Sequence, residues 1–163
     1  MQTTFNSDRL VMDPIALTDF EFMQVLVNSP GWIKFIGDRD IHSEYASKGY
    51  IQKILNNDQA FYWVVRKKAS LLPIGIITFM LRSYLNHYDL GFAFLPEHSK
   101  QGFAFEASKK VVEALRQNKS YDLIQAITLP ENTSSIKLLE KLGFIFESEL
   151  DVQNEQLLLY ANQ

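Results

Sequence analysis

Two stretches of the chain set polar residues and glycine in patterns suited to holding an anion and moving a proton. The first, residues 89–107, reads DLGFAFLPEHSKQGFAFEA: a strand ends, a short polar loop follows, and a helix begins at Gly102. A helix N-terminus carries N–H groups without intrahelical partners and the positive end of the helix dipole, so it can seat a phosphate. Gly102 lets a backbone approach an anion closely, Ala104 keeps the first turn uncrowded, and Lys100 adds positive charge. On this stretch alone an ordinary helix cap is the commoner reason for such a glycine. Neither G-x-x-x-x-G-K-[ST] nor G-x-G-x-x-G occurs, which counts against a phosphotransferase or a dinucleotide enzyme.

The second stretch, residues 130–144, reads PENTSSIKLLEKLGF. It predicts an amphipathic helix with Ile136, Leu138, Leu139 and Leu142 inward, Asn132 as N-cap and Gly143 as a left-handed stop. Its functional reading sets Asn132 and Ser135 as polar groups at the mouth of a cleft between two strands. The three histidines, His42, His87 and His98, share no metal-ligand spacing, and no metal site is expected. With no cysteine there is no thiol nucleophile and no Cys-based metal cluster.

The elements that must position these residues follow from periodicity. Alternation marks strands at 10–15, 61–66, 74–81 and 87–95, the last stopped by Pro96. In that strand His87, Asp89, Gly91, Ala93 and Leu95 share one face, and Leu90, Phe92 and Phe94 the other. Helical spacing covers 19–28, 43–55 (Tyr50, Ile51, Ile54 and Leu55 inward) and 102–117. Residues 30–38 read as a loop or helix end carrying Trp32 and Phe35. A strand at 123–128 precedes the helix at 133–142, and strands at 144–150 and 156–160 close the chain as a hairpin. The fold class is therefore α/β, a mixed sheet with helices on its faces.

With 163 residues, 47% of them hydrophobic and 21% charged, the chain suits a single domain spanning residues 1–163. A net charge of −3 without a Lys/Arg block argues against nucleic acid as partner. No apolar run reaches membrane-spanning length, the first residues do not form a signal peptide, and a cytoplasmic location is expected.

Taken together, the two stretches resemble the GNAT superfamily of N-acetyltransferases, and within it the ribosomal-protein-alanine (Rim-type) branch. Asp89, Gly91, Pro96, Gly102, Phe103, Ala104, Glu106 and Ala107 fit the first family motif. Pro130, Asn132, Ser135, Leu138, Gly143 and Phe144 fit the second. Asp8-Arg9-Leu10-Val11-Met12 is similar to the branch's opening, so the likeness runs nearly end to end. Departures are Lys100-Gln101-Gly102 in place of a loop with two glycines, Ser99 where the loop opens on Gln or Arg, and Leu139 where many relatives have a tyrosine acid.

The resemblance implies acetyl-CoA as cosubstrate, with a pantetheine arm lying between splayed strands. Its binding residues would be Phe94, Leu95, Lys100, Gln101, Gly102, Phe103, Ala104, Asn132 and Ser135. A backbone N–H near Phe94 would face the oxyanion. Asp89 would be the general base, a solvated carboxylate being the alternative, and Ser135 would donate to the departing thiolate. The acceptor would be a primary amine, on a protein N-terminus or a small molecule. It would be held by the first helices, with Trp32, Phe35 and Tyr45 as candidate lining of an apolar pocket, core packing being the simpler reading of these aromatics. The protein would act as a monomer or homodimer. Two rivals remain at this stage: a catalytically silent acyl-CoA-binding or protein-interaction domain of this fold, and a small regulatory module without a CoA site.

Overall fold

A computed structural model describes residues 3–162 and resolves these patterns into one eight-stranded sheet ordered β1-β2-β3-β4-β5-β6-β8-β7. The strands are β1 (Phe5–Asn6), β2 (Leu10–Pro14), β3 (Ala60–Lys67), β4 (Pro73–Met80), β5 (Asp89–Phe94), β6 (Ile124–Thr128), β7 (Ile145–Val152) and β8 (Glu155–Asn162). The helices are α1 (Phe20–Val27), α2 (Pro30–Phe35), α3 (Glu44–Leu55), α4 (Phe103–Arg116) and α5 (Thr133–Lys141). Neighbouring strands run antiparallel except β5 and β6, which are parallel. A parallel pair needs a crossover, and α4 provides it.

Alternation along the central strands divides the core into two layers. Trp63, Val65, Ile77, Phe79, Leu90 and Ala126 face α4 and α5, meeting Ala107, Val111, Leu115 and Leu139. Val64, Ile76 and Leu95 face the other way, against Met23, Leu26, Trp32, Ile51 and Ile54 of α1, α2 and α3. Each fully buried aliphatic or aromatic side chain in these layers contributes about 1.5–3 kcal/mol. Both faces of the β3–β5 region are thus covered, so β5 is held rigidly from two sides.

Local caps fix where the helices begin. Ser43 Oγ accepts from the Ala46 N–H at 3.0 Å and starts α3; Asn132 Oδ1 accepts from the Ser135 N–H at 3.2 Å and starts α5. Gly143, at φ +85°, ends the latter with the Phe144 N–H donating to the Leu139 carbonyl at 3.0 Å.

Three expectations need correction, and one strand was not foreseen. Residues 30–38 are not simply a loop, because Pro30, at N1, opens α2; a proline there loses no hydrogen bond. Leu55 is 44% exposed instead of inward, since it falls on the last turn beyond the Ile51–Ile54 stripe. The strand expected from residue 87 begins at Asp89, and the pair β1 was not anticipated because two residues carry no period.

Candidate active site

The parallel strands β5 and β6 share one registered pair, Asp89 with Gln125. The Gln125 N–H donates to the Tyr88 carbonyl at 2.9 Å, and beyond this point the strands part. On its other side β5 stays zipped to β4 through the whole run from Met80–Asp89 to Gly75–Phe94. The Leu95 N–H donates to the Ile74 carbonyl at 2.9 Å, so residues 89, 91, 93 and 95 turn their amides toward β4. The amides and carbonyls of Phe92 and Phe94 consequently face the parting. Among the described residues they have no ladder partner. An open strand edge in the middle of a sheet is a site for strand addition.

The expected role of Leu95 is narrowed by this geometry. Its N–H is committed to Ile74 and its side chain lies buried in the α1–α3 layer. Phe94 offers its backbone to the parting while its ring fills the space over Gly75, where a Cβ would overlap it.

The mouth of the parting is formed by the start of α4. Gly102 sits at φ +80°, the left-handed region that suits glycine, and no side chain caps the helix. The N–H groups of Phe103, Ala104 and Phe105 therefore point out without intrahelical partners, as the sequence implied. Lys100, at φ +58°, is also left-handed and turns the loop sharply. Gln101 contributes structure instead of free polar groups: its Nε2 donates to the Glu97 carbonyl at 3.2 Å and its carbonyl accepts from Arg9 Nη2 at 3.1 Å. Ser99 Oγ donates to the Pro96 carbonyl at 2.6 Å. The Phe103 ring is buried beneath the Arg9 guanidinium, 4.3 Å from its centroid, leaving only its amide for a ligand.

A clamp not foreseen from the sequence holds this helix start. Glu106 accepts from the Ser7 hydroxyl at 2.7 Å, the Arg9 amide at 2.8 Å and Arg9 Nε at 2.7 Å. Burial raises the Glu106 pKa, but the Arg9 amide, the Ser7 hydroxyl and the Arg9 guanidinium together bring it below the ordinary carboxylate value. Because Glu106 is engaged with the chain's beginning, it does not fold back to cap α4. The helix amides stay open, and Arg9 stays beside Gly102. The only signal in the sequence was the pairing of Arg9 and Glu106 as family-like positions.

Across the parting, α5 begins with Asn132 and Ser135. Asn132 is occupied as a cap, whereas the half-buried Ser135 hydroxyl has no partner among the described residues. Leu139 packs at 1% exposure in the α4–α5 layer and has no proton to give.

Asp89 closes the narrow end of the parting. It is 1% exposed, so the solvated-carboxylate alternative does not describe it. Burial pushes its pKa up to about 6, against the pull of Arg82, whose Nε donates to Asp89 Oδ1 at 3.0 Å. Arg82 comes from the β4–β5 turn and keeps a third of its side chain in solvent. Nearby, Tyr62 lies beside Tyr50 and is kept a neutral phenol by burial. Trp32 packs in the core with Nε1 unpartnered among the described residues, and Tyr45 is 90% exposed, so the expected trio with Phe35 does not line one pocket. Arg82 was invisible in the sequence, a single arginine after an apolar strand.

Two concavities flank the parting instead of filling it. One, of about 670 Å³, runs along the outer face of α4 past Ser7, Arg9, Lys68 and Lys109. Another, of about 630 Å³, lies over α3 near Arg39 and Tyr50. The parting itself is the better site, because it alone combines open backbone groups with a helix N-terminus. Among the described residues no His, Asp and Glu side chains gather as a metal site, and no helix is long and apolar enough to cross a membrane.

Comparison with known proteins bears on this geometry. Residues 9–145 match the family model described as an acetyltransferase (GNAT) domain. The uncharacterized N-acetyltransferase YoaA of Bacillus subtilis (strain 168) is 26% identical over 148 residues, 88% of this chain and 84% of the relative. An acetyltransferase (GNAT family) of Bacillus anthracis superposes with a TM-score of 0.82 at 21% identity, covering 98% of each chain. A ribosomal-protein-S5-alanine acetyltransferase of Vibrio fischeri superposes with a TM-score of 0.79 at 20% identity, covering 98% of this chain and 96% of that one.

Proposed function

The chain belongs to the GNAT acetyltransferase family, and from that premise we propose that it transfers the acetyl group of acetyl-CoA to a primary amine by direct attack. The observation that carries this reading is the open edge of β5, where Phe92 and Phe94 present backbone groups to a parting that ends in uncapped helix amides. An extended amide-bearing arm fits such an edge, and a pyrophosphate fits the helix start. Acetyl-CoA supplies the acetyl group as an activated thioester.

The chain's own residues do the rest. Phe92 and Phe94 orient the arm through backbone hydrogen bonds. The amides of Phe103 and Ala104, with Lys100 at the loop, hold the phosphates. A β5 N–H facing the parting stabilises a carbonyl oxygen as it gains negative charge. Asp89, with a pKa of about 6, is ionised at neutral pH and accepts the proton the amine must lose. Since its carboxylate is buried behind Arg82, that proton travels through water. Ser135, with an uncommitted hydroxyl, donates toward the thiolate on the far wall.

The acceptor proposed is a protein N-terminal amine, with a small amine as the other candidate. The Rim-type motifs and the fold shared with the Vibrio fischeri alanine acetyltransferase support that order. A cytoplasmic location is part of the same proposal, since a reducing compartment suits a chain without cysteine.

Calorimetry with acetyl-CoA, followed by thiol release with a panel of amines, tests the proposal. Binding together with amine-dependent thiol release is the expected result. No heat of binding and no thermal stabilisation would overturn it. A ligand at about 100 times its Kd should add roughly 2.7 kcal/mol of stability.

A further inference from the structure

We infer that the Thr78 hydroxyl is a substrate-contacting group that holds the incoming amine over Gly91. This rests on the acetyl-transfer reading above and adds a residue that neither family motif contains. The face of the sheet turned toward α1 and α3 can be written as cross-strand rows. Ala60, Met80, Asp89 and Gln125 form one; Tyr62, Thr78 and Gly91 the next; Val64, Ile76 and Ala93 the third. The third row is apolar. In the first, Asp89 is bonded to Arg82, and Gln125 accepts from the His87 amide. In the middle row Tyr62, beside Tyr50, is kept a neutral phenol by burial. Next to it Thr78 is 8% exposed, and its hydroxyl has no hydrogen-bond partner among the described residues.

The direction of that hydroxyl is set by its neighbour across the ladder. A Cβ on Gly91 would collide with Thr78 Oγ1, so the hydroxyl lies across β5 in the space the missing side chain leaves. It thereby reaches the strand that lines the parting, one row from Asp89. A β-branched residue holds few rotamers, so this direction is well defined.

The chemistry needs an acceptor at this place. A neutral primary amine attacks with its lone pair, and its N–H bonds must be held away from the thioester carbon. A hydroxyl oxygen accepts one N–H and so aims the lone pair. Thr78 neither gains nor loses a proton. The C–N bond forms as the carbonyl oxygen takes up negative charge, the C–S bond then breaks to release the thiolate, and the proton leaving nitrogen passes through water to Asp89.

The test compares Thr78→Val with Thr78→Ser, following thiol release from acetyl-CoA with benzylamine and with a short peptide bearing a free N-terminal alanine. Thr78→Val should lower kcat/KM for the amine by about tenfold to a hundredfold, as expected for loss of positioning. Its Kd for acetyl-CoA and its Tm should match wild type. Thr78→Ser should return most of the activity. The inference is overturned if Thr78→Val keeps wild-type kcat/KM, or if acetyl-CoA affinity falls in step with activity. An active wild type with an equally active Thr78→Val sinks this inference alone. A wild type that binds no acetyl-CoA and releases thiol with neither amine sinks the parent reading, and this one with it.

Discussion

The two sides of β5 are built on opposite principles. Toward α4 the candidate site is made almost wholly of backbone: the open edge of Phe92 and Phe94, one left-handed glycine, and the first amides of a helix. Toward α1 and α3 it is made of side chains that touch one another, with Arg82 on Asp89, Tyr50 on Tyr62 and Thr78 over Gly91. A backbone site tolerates sequence drift, because the path of the chain matters more than the identity of its residues. A side-chain site changes its chemistry with each substitution. On that view the proposed cofactor seat beside α4 tolerates substitution, and the proposed acceptor side toward α1 and α3 does not.

The sharpest way to break this contrast is Gly102→Asp. An aspartate there places a side chain and a negative charge in the phosphate seat, and acetyl-CoA binding by calorimetry should vanish. Folding should survive at a modest cost: the left-handed backbone at 102 strains an aspartate, but its carboxylate would lie beside the Arg9 guanidinium, which stands 3.4 Å from where a Cβ on residue 102 would project. Wild-type affinity in this variant would move the phosphate site elsewhere.

On the other side, Asp89→Asn should cost roughly a hundredfold or more in kcat/KM, within the general-base range of about 10² to 10⁴. In wild type the rate should rise with pH through about 6, since Asp89 must lose its proton to act. Arg82, Tyr84, Tyr62 and Gln125 surround or border it, and Arg82 is the one that favours the ionised form. The pH–rate profile of Asp89→Asn should lack that limb and recover partly at high pH, where free amine is abundant. A profile matching wild type throughout would make Asp89 structural. The same shift has a stability consequence of opposite sign. Its folded pKa lies above its unfolded value, so the stability it contributes is full in acid and is lost as the pH rises through about 6.

Glu106→Gln tests the clamp that holds the backbone side open. Glu106 has a lowered pKa, so its contribution is present above the unfolded carboxylate value and lost as the pH falls through the folded one. At neutral pH the substitution should cost about 1–2 kcal/mol, the half-exposed Arg9 limiting the ion-pair share. Denaturant titrations should show the difference closing in acid; a constant difference across pH would assign the effect to packing. Ser135→Ala should have the smallest effect, about tenfold in kcat, as loss of one positioned donor. A fall as large as that of Asp89→Asn would invert the proposed roles.

The contrast also explains what the sequence made visible. Helix starts, strand alternation and the glycine at 102 are local: a cap, a period and a φ angle each leave a mark within a few residues. They located α4, α5, β5 and the loop between them. The rest depends on meetings between distant positions. Arg82 reaches Asp89 around a turn, Tyr50 reaches Tyr62 from a helix, and Ser7 and Arg9 reach Glu106 across nearly a hundred residues. No period announces such meetings. Tyr45 shows the converse, an aromatic grouped with Trp32 by proximity in sequence that the helix turns out to solvent.

The single registered pair between β5 and β6 has one further consequence, for hydrogen exchange. Phe92 and Phe94 lie at the centre of an eight-stranded sheet, where amides ordinarily exchange only on global unfolding. Their N–H groups instead border the parting, and in the free protein they should exchange like those of an outer strand. The amides of Ala93 and Leu95, turned toward β4, should exchange slowly whether or not ligand is present. Exchange along β5 should therefore alternate residue by residue, and the fast positions should slow when acetyl-CoA is added.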